Sequence, residues 1–368
     1  MFYRSTDTYS ANRMKFPERI RIKDIARLAN VSVGTVDRVI HNRFGVSEVS
    51  RKHVEDILEQ LDYHPNMYAS ALAFNKKYTF ACLLPTHLKG EYWTAIENGI
   101  NEALIHYSDF NISVDTTYYD PYEYQAFVAK GEDILEKEPD GVLFTPIVLQ
   151  YTKRFTDALN KQGIPYIYID SNITEIPPLA FFGQSPHQSG YFAARMLMQF
   201  AGNDKKEVTV FRKINDGIVG SNQQENREKG FREYMRKFHP LCQLSELDFH
   251  AKAPGEDNRM LDRFFSEHPC VNAGITFNSK VYIIGEYLQS RKMEYFSLIG
   301  YDLLERNVSC LKQGSVSFLI AQQPEFQGYN GIKTLCDYLI FKKKVVQFNY
   351  MPIDLLTAEN IDYYLKIH

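Results

Sequence analysis

From Tyr78 to the end of the chain, short apolar runs alternate with longer amphipathic stretches, and this alternation restricts the fold more than any other feature. Helices of roughly a dozen residues or more are predicted between most of the runs, with a last long helix near 325–342. Buried strands joined by crossover helices form parallel sheets that carry helices on both faces. Since the runs fall into two sets of five, the sequence predicts two doubly wound lobes. The predicted strands are 79–85, 112–119, 141–147, 164–170, 179–183, 208–213, 244–249, 273–278, 295–302 and 317–322.

Polar side chains stand where several of these strands end. In folds of this kind a ligand binds beyond the carboxyl ends of the strands, which here means the cleft between the lobes. Carboxylate, amide and guanidinium groups form paired hydrogen bonds with hydroxyl groups, and aromatic rings cover apolar faces. Each residue taken singly could equally be a strand-end cap or a surface group. The residues at these strand ends or at the starts of helices become candidate ligand-site residues because a family resemblance, described below, implies that each lies at or near a ligand contact. They are Tyr92, Trp93, Asp170, Arg227, Asn278, Asp302 and Gln322.

The segment 22–42, IKDIARLANVSVGTVDRVIHN, precedes the alternating region and has a helical pattern. It predicts two short helices joined by a tight turn, with Ser32 as the N-cap of the second helix. A short helix that presents small polar groups and an arginine outward is suited to the DNA major groove. The residues expected on the inner faces are Ile25, Ala26, Leu28, Ala29, Val36, Val39 and Ile40. The residues expected on the outer face of the second helix are Gly34, Thr35, Arg38 and His41.

Three consecutive segments carry a resemblance to a known family. They are 22–42, then VSEVSRKHVEDILEQLDYHPN at 46–66, then MYASALA at 67–73. In this order they resemble the helix-turn-helix, third helix and hinge helix of the lactose-repressor (LacI/GalR) family of bacterial transcription regulators. The region after Tyr78 resembles the effector domain of the same family, a type I periplasmic-binding-protein-like fold related to ribose-binding proteins.

This resemblance implies which residues contact DNA. Val33, Gly34 and Arg38 would face the bases, where Val33 can touch a thymine methyl group and Arg38 can form a bidentate pair with guanine. Two positions depart from the family pattern, because Gly34 has no side chain and Asp37 replaces the commoner serine. Further candidates for DNA contact, mostly to phosphates, are Ser32, Thr35, His41, His53 and Asn66. For His53 a solvent-exposed structural role is the alternative.

The third predicted helix begins after Ser47 or Ser50 and runs to about Leu61. Asn66 is the expected cap of a further helix through Ala73, which is too short to persist alone in water. The resemblance implies that this hinge helix pairs with its copy in the minor groove, where Leu72 would wedge between base pairs. Ala69 belongs to the small residues that would permit close helix pairing. The alternative for this segment is an ordinary linker with Leu72 buried on the next domain.

Composition excludes several classes of protein. No apolar run approaches the roughly 20 residues that a membrane helix needs, and the first twenty residues lack a secretory signal. Residues 1–78 contain 13 Lys/Arg and 9 Asp/Glu, whereas the remainder contains 29 and 36, which fits a basic DNA-binding head on an acidic body. Five scattered cysteines favour reduced thiols in a cytoplasmic protein. No dinucleotide, nucleophile-elbow or metal-ligand motif is present, so we expect no cofactor, no metal and no enzyme activity.

These patterns predict four regions. They are a disordered arm at 1–20, a helix-turn-helix DNA-binding domain at 21–64, a hinge helix and linker at 65–77, and a two-lobed effector-binding and dimerisation domain at 78–368. Lobe one is placed at about 78–182 and 323–345, and lobe two at about 183–322 and 346–368. The chain ends without a leucine heptad, so we expect a homodimer, which matches a palindromic operator.

The function expected from the sequence is a ligand-controlled transcription regulator, most simply a repressor of carbohydrate-utilisation genes. A sugar or sugar derivative in the cleft would alter the lobe orientation and thereby the affinity for DNA. One alternative is a corepressor-type regulator that responds to a purine or another non-sugar metabolite. A solute-binding protein for transport is a further alternative, which the head and the missing signal argue against.

Overall fold

A computed structural model describes residues 21–40, 44–61, 63, 76–202, 207–215, 221–250 and 256–367. The chain divides into two compact units, residues 1–70 and 71–368. The predicted arm at 1–20 lies outside the described residues, and so does most of the predicted hinge. The candidate DNA contacts His41, Asn66, Ala69 and Leu72 lie outside them as well.

The first unit contains three helices: α1 (Ile22–Leu28), α2 (Val33–Ile40) and α3 (Glu48–Gln60). Their core centres on fully buried Ile25, Val36 and Val54, one from each helix. Ser47 caps α3 by accepting a hydrogen bond from the Ser50 amide at 3.2 Å. The predicted inward position of Leu28 is wrong, because this side chain is 56% exposed. It precedes buried Ala29 by one residue and so points about 100° away around the helix.

In the second unit, the described residues form two six-stranded sheets, which confirms the predicted two-lobed α/β fold. The first sheet has the order β11-β5-β4-β3-β1-β2 and is parallel throughout. The second has the order β12-β10-β9-β8-β6-β7 and is parallel except for β12. The strands are β1 (Tyr78–Pro85), β2 (Ile112–Tyr119), β3 (Gly141–Phe144), β4 (Tyr166–Ile169), β5 (Ala180–Gly183), β6 (Glu207–Lys213), β7 (Gln243–Phe249), β8 (Ala273–Thr276), β9 (Ser297–Tyr301), β10 (Phe318–Ala321), β11 (Phe348–Tyr350) and β12 (Asp354–Leu356).

Helices cover both faces of each sheet, as parallel connections require. In the first lobe, separate apolar clusters fill the two faces of the sheet, and the second lobe repeats this arrangement. A short 3₁₀ turn, Ser108–Phe110, precedes β2. The helices are α4 (Tyr92–His106), α5 (Tyr124–Leu135), α6 (Leu149–Gln162), α7 (Pro186–Ala201), α8 (Asn222–Phe238), α9 (Glu256–Glu267), α10 (Val281–Ser290), α11 (Glu305–Lys312), α12 (Pro324–Leu339) and α13 (Ile361–Ile367).

The chain passes between the lobes after β5, after β10 and after β11. Gln184, which follows β5, hydrogen-bonds to the other two crossing points. Its amide donates to the carbonyl oxygens of Ala321 at 2.7 Å and Pro352 at 2.6 Å. The predicted end of lobe one at 345 is too early, since β11 pairs with β5 in the first sheet. A strand of three residues is too short to produce an alternation that the sequence would reveal.

Close helix packing in the second lobe fixes the start of α8. A Cβ atom on Gly190 of α7 would lie 1.8 Å from the carbonyl oxygen of Arg227 in α8. A Cβ atom on Gly230 would lie 1.9 Å from the carbonyl oxygen of His187. Only glycine permits this approach of the two backbones. The two glycines therefore set the position from which the Arg227 side chain extends.

Candidate functional site

The carboxyl ends of the two sheets border a cavity of 210 Å³ within the second unit. Because each lobe contributes the loops that follow its strands, the cavity lies where ligands bind in parallel α/β folds. The structure brings all seven candidate ligand-site residues together in its lining. They are Tyr92, Trp93, Asp170, Arg227, Asn278, Asp302 and Gln322.

Asp170 is the polar centre on the side of lobe one. It follows β4 with a left-handed backbone (φ 63°), a conformation that Asp adopts more readily than most residues. Its carboxylate accepts a hydrogen bond from the Tyr92 hydroxyl at 3.0 Å. Its backbone amide donates to Gln327 Oε1 at 2.9 Å, and Gln327 Nε2 donates to the Tyr92 oxygen at 3.3 Å. These three side chains therefore hold one another in place.

Asp302 is the corresponding residue on the side of lobe two. It follows β9, also with a left-handed backbone (φ 71°). Gln322 donates from Nε2 to the Asp302 carboxylate at 2.6 Å and accepts from the Arg227 guanidinium through Oε1. The amide of Gln322 thus connects the carboxylate with the guanidinium and fixes the orientation of both.

Arg227 is 3% exposed and lies between these acidic groups. It donates to the carbonyl oxygen of Phe277 at 2.9 Å, and its guanidinium lies 4.1 Å from the centre of the Tyr301 ring. Among the described residues it forms no ion pair, and its buried Nε has no hydrogen-bond partner. The guanidinium is therefore fixed in position with donor capacity left over.

Burial dominates the electrostatics of both aspartates. It raises the pKa of Asp170 to about 6, although the nearby Arg227 charge and the Tyr92 hydroxyl oppose the shift. It raises the pKa of Asp302 to about 7, opposed by Arg227 and by the Gln322 hydrogen bond. Desolvation penalises the charged form of a carboxyl group, and here it outweighs the attraction of the guanidinium. Such displaced pKa values in a cleft are typical of functional sites.

Asn278 and Trp93 complete the predicted set. Asn278 donates to Gln224 Oε1 at 3.0 Å, and its own Oδ1 accepts the Lys280 amide at 2.8 Å. Trp93 is partly buried and meets the Tyr92 ring edge to face, with the ring centres 5.2 Å apart. Asn278 offers polar contacts, whereas Trp93 supplies an aromatic surface at the start of α4.

Several lining or supporting residues are absent from the sequence-based set. Gln327 supports Asp170 from the first turn of α12, and Gln223 reaches the Asp170 carbonyl oxygen from the start of α8. Lys213 and Tyr122 line the cavity as well. For Gln223 the signal in the sequence was its position, because it lies in the first turn of a helix that enters the cleft. Lys213 ends the predicted strand 208–213 and Gln327 lies at the start of the predicted helix near 325–342, so both had a positional signal, whereas Tyr122 had none.

Four hydrogen bonds that cross the cleft share one arrangement of donor and acceptor. Lys280 of lobe two pairs with Glu91 of lobe one, and Lys213 donates to the Tyr122 hydroxyl. Asn222 donates to the carbonyl oxygen of Ile147 at 2.7 Å. In these contacts, as in the contact between Gln223 and Asp170, the donor belongs to lobe two and the acceptor to lobe one.

The first unit presents a separate candidate surface for nucleic acid on α2. Val33 is 51% exposed, and Gly34 and Arg38 are exposed beside it. Ser32 accepts the Thr35 amide at 3.0 Å, so the predicted N-cap of α2 is confirmed. A Cβ atom on Gly34 would lie 4.0 Å from an Arg38 guanidinium nitrogen, which places Arg38 across the gap that Gly34 leaves. His53 on α3 is exposed.

Two other kinds of site are absent from the described ranges. No three His, Cys, Asp or Glu side chains there are grouped so that they could hold a metal ion. No helix in the same ranges combines the length and the apolar character that crossing a membrane requires. The five cysteines are free thiols.

Comparison with known proteins assigns both units. The family described as "Bacterial regulatory proteins, lacI family" matches residues 21–66, and the family described as "Periplasmic binding protein domain" matches residues 80–343. The HTH-type transcriptional regulator DegA of Bacillus subtilis (strain 168) is 26% identical over 220 residues, which are 59% of this chain and 60% of DegA. The chain thus spans less than two thirds of that relative.

Solved structures resemble the second unit. A protein from Bacteroides fragilis, described as a LacI transcriptional regulator, is 68% identical, with a TM-score of 0.77, and covers 78% of this chain and 100% of its own. GanP, a glucose-galactose binding protein from Geobacillus stearothermophilus, has 16% identity and a TM-score of 0.67 over 78% of this chain and 99% of its own, which shows a common fold alone. The chain therefore belongs to the LacI family of bacterial regulatory proteins, with a body of the periplasmic binding protein domain family.

Proposed function

We propose that the protein is a transcription regulator whose affinity for DNA is controlled by a small carbohydrate in the interlobe cavity. The observation that carries the proposal is the convergence of Asp170, Arg227 and Asp302 on one cavity, in a chain that also contains a lacI-family head. Ionised carboxylates accept hydroxyl hydrogens, and a guanidinium donates to hydroxyl oxygens, so together they suit a polyhydroxylated ligand.

The cavity is large enough for a small ligand. Its volume of 210 Å³ admits several waters and therefore a group of monosaccharide size. Trp93 and Tyr92 provide aromatic surface for the apolar face of a sugar ring. A purine base presents fewer hydrogen-bond donors than a monosaccharide, so the two aspartates match the corepressor alternative less well.

On the DNA side, we propose that Val33, Gly34 and Arg38 face the bases, while Ser32, Thr35, His41 and His53 lie near the phosphates. Two heads of a homodimer would occupy a palindromic operator, with the segment containing Asn66, Ala69 and Leu72 in the minor groove between them. Exposure of Val33 and Arg38 on one side of α2 supports this assignment. Closure of the cleft around the sugar would then change the spacing of the heads.

The test begins with selection of operator sequences from random DNA by the full-length protein. Operator affinity is then measured by fluorescence anisotropy with and without each of a panel of monosaccharides. Arg38→Ala should weaken operator binding by about 1–3 kcal/mol and relax base preference. Arg227→Ala should still bind the operator but lose the response to sugar, whereas exposed Arg236→Ala on the same helix serves as the control. A normal response of Arg227→Ala would overturn the assignment of the cavity.

A further inference from the structure

We propose that the effector is an acidic monosaccharide and that Lys213 binds its carboxylate or phosphate group. The inference rests on the proposed function, because it specifies the ligand class of the same cavity. Lys213 ends β6 and lines the cavity beside the start of α8. It was not among the residues that the sequence pattern indicated, and its role follows from the charges that surround it.

The two lysines of lobe two that line the cavity are in different electrostatic situations. Lys280 forms an ion pair with Glu91, so its charge is neutralised within the protein. Lys213 donates to the hydroxyl of Tyr122, and its Nζ lies 5.0 Å from the centre of that ring. Among the described residues, Lys213 has no carboxylate partner. The neutral phenol and the face of its ring hold the ammonium group in place, and the nearby Glu91 carboxylate on which its charge also acts is already paired with Lys280.

The start of α8 adds to the positive potential at this side of the cavity. The helix is 17 residues long and begins at Asn222, with Ser221 as its N-cap, and both residues line the cavity. The N-terminus of a helix attracts anions through its backbone amides and its dipole. Arg227, in the second turn of the same helix, is 3% exposed and lines the cavity.

The acidic groups of the cavity determine the orientation of the bound ligand. Asp170 and Asp302 repel a second anion but accept hydrogen bonds from hydroxyl groups. A ligand that carries both hydroxyls and one anionic group therefore satisfies the aspartates with its hydroxyls and Lys213 with its anion. A neutral sugar satisfies the aspartates alone and leaves the Lys213 charge without a counter-ion.

The experiment compares matched neutral and acidic sugars by isothermal titration calorimetry on the full-length protein. The pairs are D-glucose and D-glucuronate, D-galactose and D-galacturonate, and D-ribose and D-ribose 5-phosphate. In at least one pair, the acid should bind tenfold or more tightly than its neutral partner. The first two pairs test a carboxylate and the third tests a phosphate, so the panel also distinguishes the two sources of the anion.

The Lys213→Met variant tests whether this lysine causes the preference. It should reduce the ratio of acid to neutral affinity at least tenfold, whereas Lys213→Arg should retain a preference for the acid. Lys229→Met, an exposed lysine on α8, should leave the ratio unchanged. Lys213→Met could fail to fold, which Trp93 fluorescence would reveal. In that case the role of Lys213 is tested by the ratio of acid to neutral affinity in Lys213→Arg and by the dependence of the wild-type ratio on salt concentration.

The outcomes separate this inference from the proposed function. Tighter binding of the neutral member in every pair, or an unchanged acid-to-neutral ratio in Lys213→Met, would overturn the role of Lys213 while a sugar-responsive regulator stands. If no member of any pair binds at millimolar concentration, the proposed sugar effector itself is wrong, and the inference fails with it. A preference for the acid that Lys213→Met abolishes supports both.

Discussion

Replacing Asp302 with asparagine is expected to stabilise the ligand-free protein at alkaline pH and to remove its response to the effector. The side chain is 6% exposed, and its backbone lies in the left-handed region, which asparagine tolerates as well as aspartate. Asparagine Oδ1 can also accept the hydrogen bond from Gln322 Nε2. The substitution therefore removes the buried charge while preserving the shape and the main contact.

The magnitude follows from the pKa. Burial raises the pKa of Asp302 from 3.8 to about 7, and this net shift already includes the attraction of Arg227. A folded-state pKa above the unfolded value means that the folded protein binds the proton more tightly, so stability is lost as pH rises from about 4 to about 7. At about 1.4 kcal/mol per pKa unit, holding the charge costs up to about 4 kcal/mol at pH 8. Asp302→Asn should recover most of this free energy.

The assay is urea unfolding at pH 4.5, 6 and 8, followed by the fluorescence of Trp93. Because Trp93 is the single tryptophan and lies in the cavity lining, its signal reports the body of the protein. The free energies of unfolding of the wild type and of Asp302→Asn should be similar at pH 4.5 and should separate progressively towards pH 8. Exposed Asp109→Asn is the control and should follow the wild type at each pH.

Two results would refute the reasoning. If Asp302→Asn were less stable than the wild type at pH 8, the carboxylate would be a stabilising charge and the interpretation of its burial would be wrong. If both proteins lost stability equally between pH 4.5 and 8, the pH dependence would come from another group. Asp170, whose pKa is raised to about 6, would contribute to a shared slope only below about pH 6.

Three further substitutions test other parts of the molecule. Gly190→Ala places a Cβ atom 1.8 Å from the Arg227 carbonyl oxygen, so it should lower the free energy of unfolding by about 1–3 kcal/mol and weaken sugar binding at least tenfold, both measured against exposed Gln188→Ala. Gly34→Ala meets no atom closer than 3.7 Å and should stabilise the head by roughly 0.5–1 kcal/mol in thermal unfolding, while changing the operator sequences selected from random DNA. Leu72→Ala should weaken specific operator binding in gel-shift assays and leave the effector affinity unchanged; an unaltered gel shift would exclude the wedge role.

The sequence predicted the polar centre of the cavity because the topology leaves little freedom there. Once strands are known to be parallel, the residues that follow them must meet at the same edge of the sheet. Asp170, Asp302 and Gln322 follow such strands, and all three line the cavity. The burial of Ile25, Val36 and Val54 was predictable for a similar reason, since helical periodicity alone determines which side of a short helix is apolar.

Other residues depend on tertiary geometry that a linear pattern does not contain. Gln327 reaches Asp170 only because α12 belongs to the first lobe although it follows the strands of the second. Lys213 meets Tyr122 only where the two lobes approach each other. The strands β11 and β12 have three residues each, and their positions are set by pairing with distant segments rather than by local propensity.

The buried aspartates of the cavity lower the free energy of unfolding of the ligand-free protein. Two aspartates are buried at left-handed backbone positions, and the one guanidinium beside them has no carboxylate within ion-pair distance among the described residues. A hydroxyl-rich ligand supplies the hydrogen bonds that water supplies to an exposed carboxylate, and so offsets the cost of desolvation only when the ligand is bound. Under the proposed function, a ligand that hydrogen-bonds to both aspartates touches both lobes, so we expect its binding to favour the closed cleft.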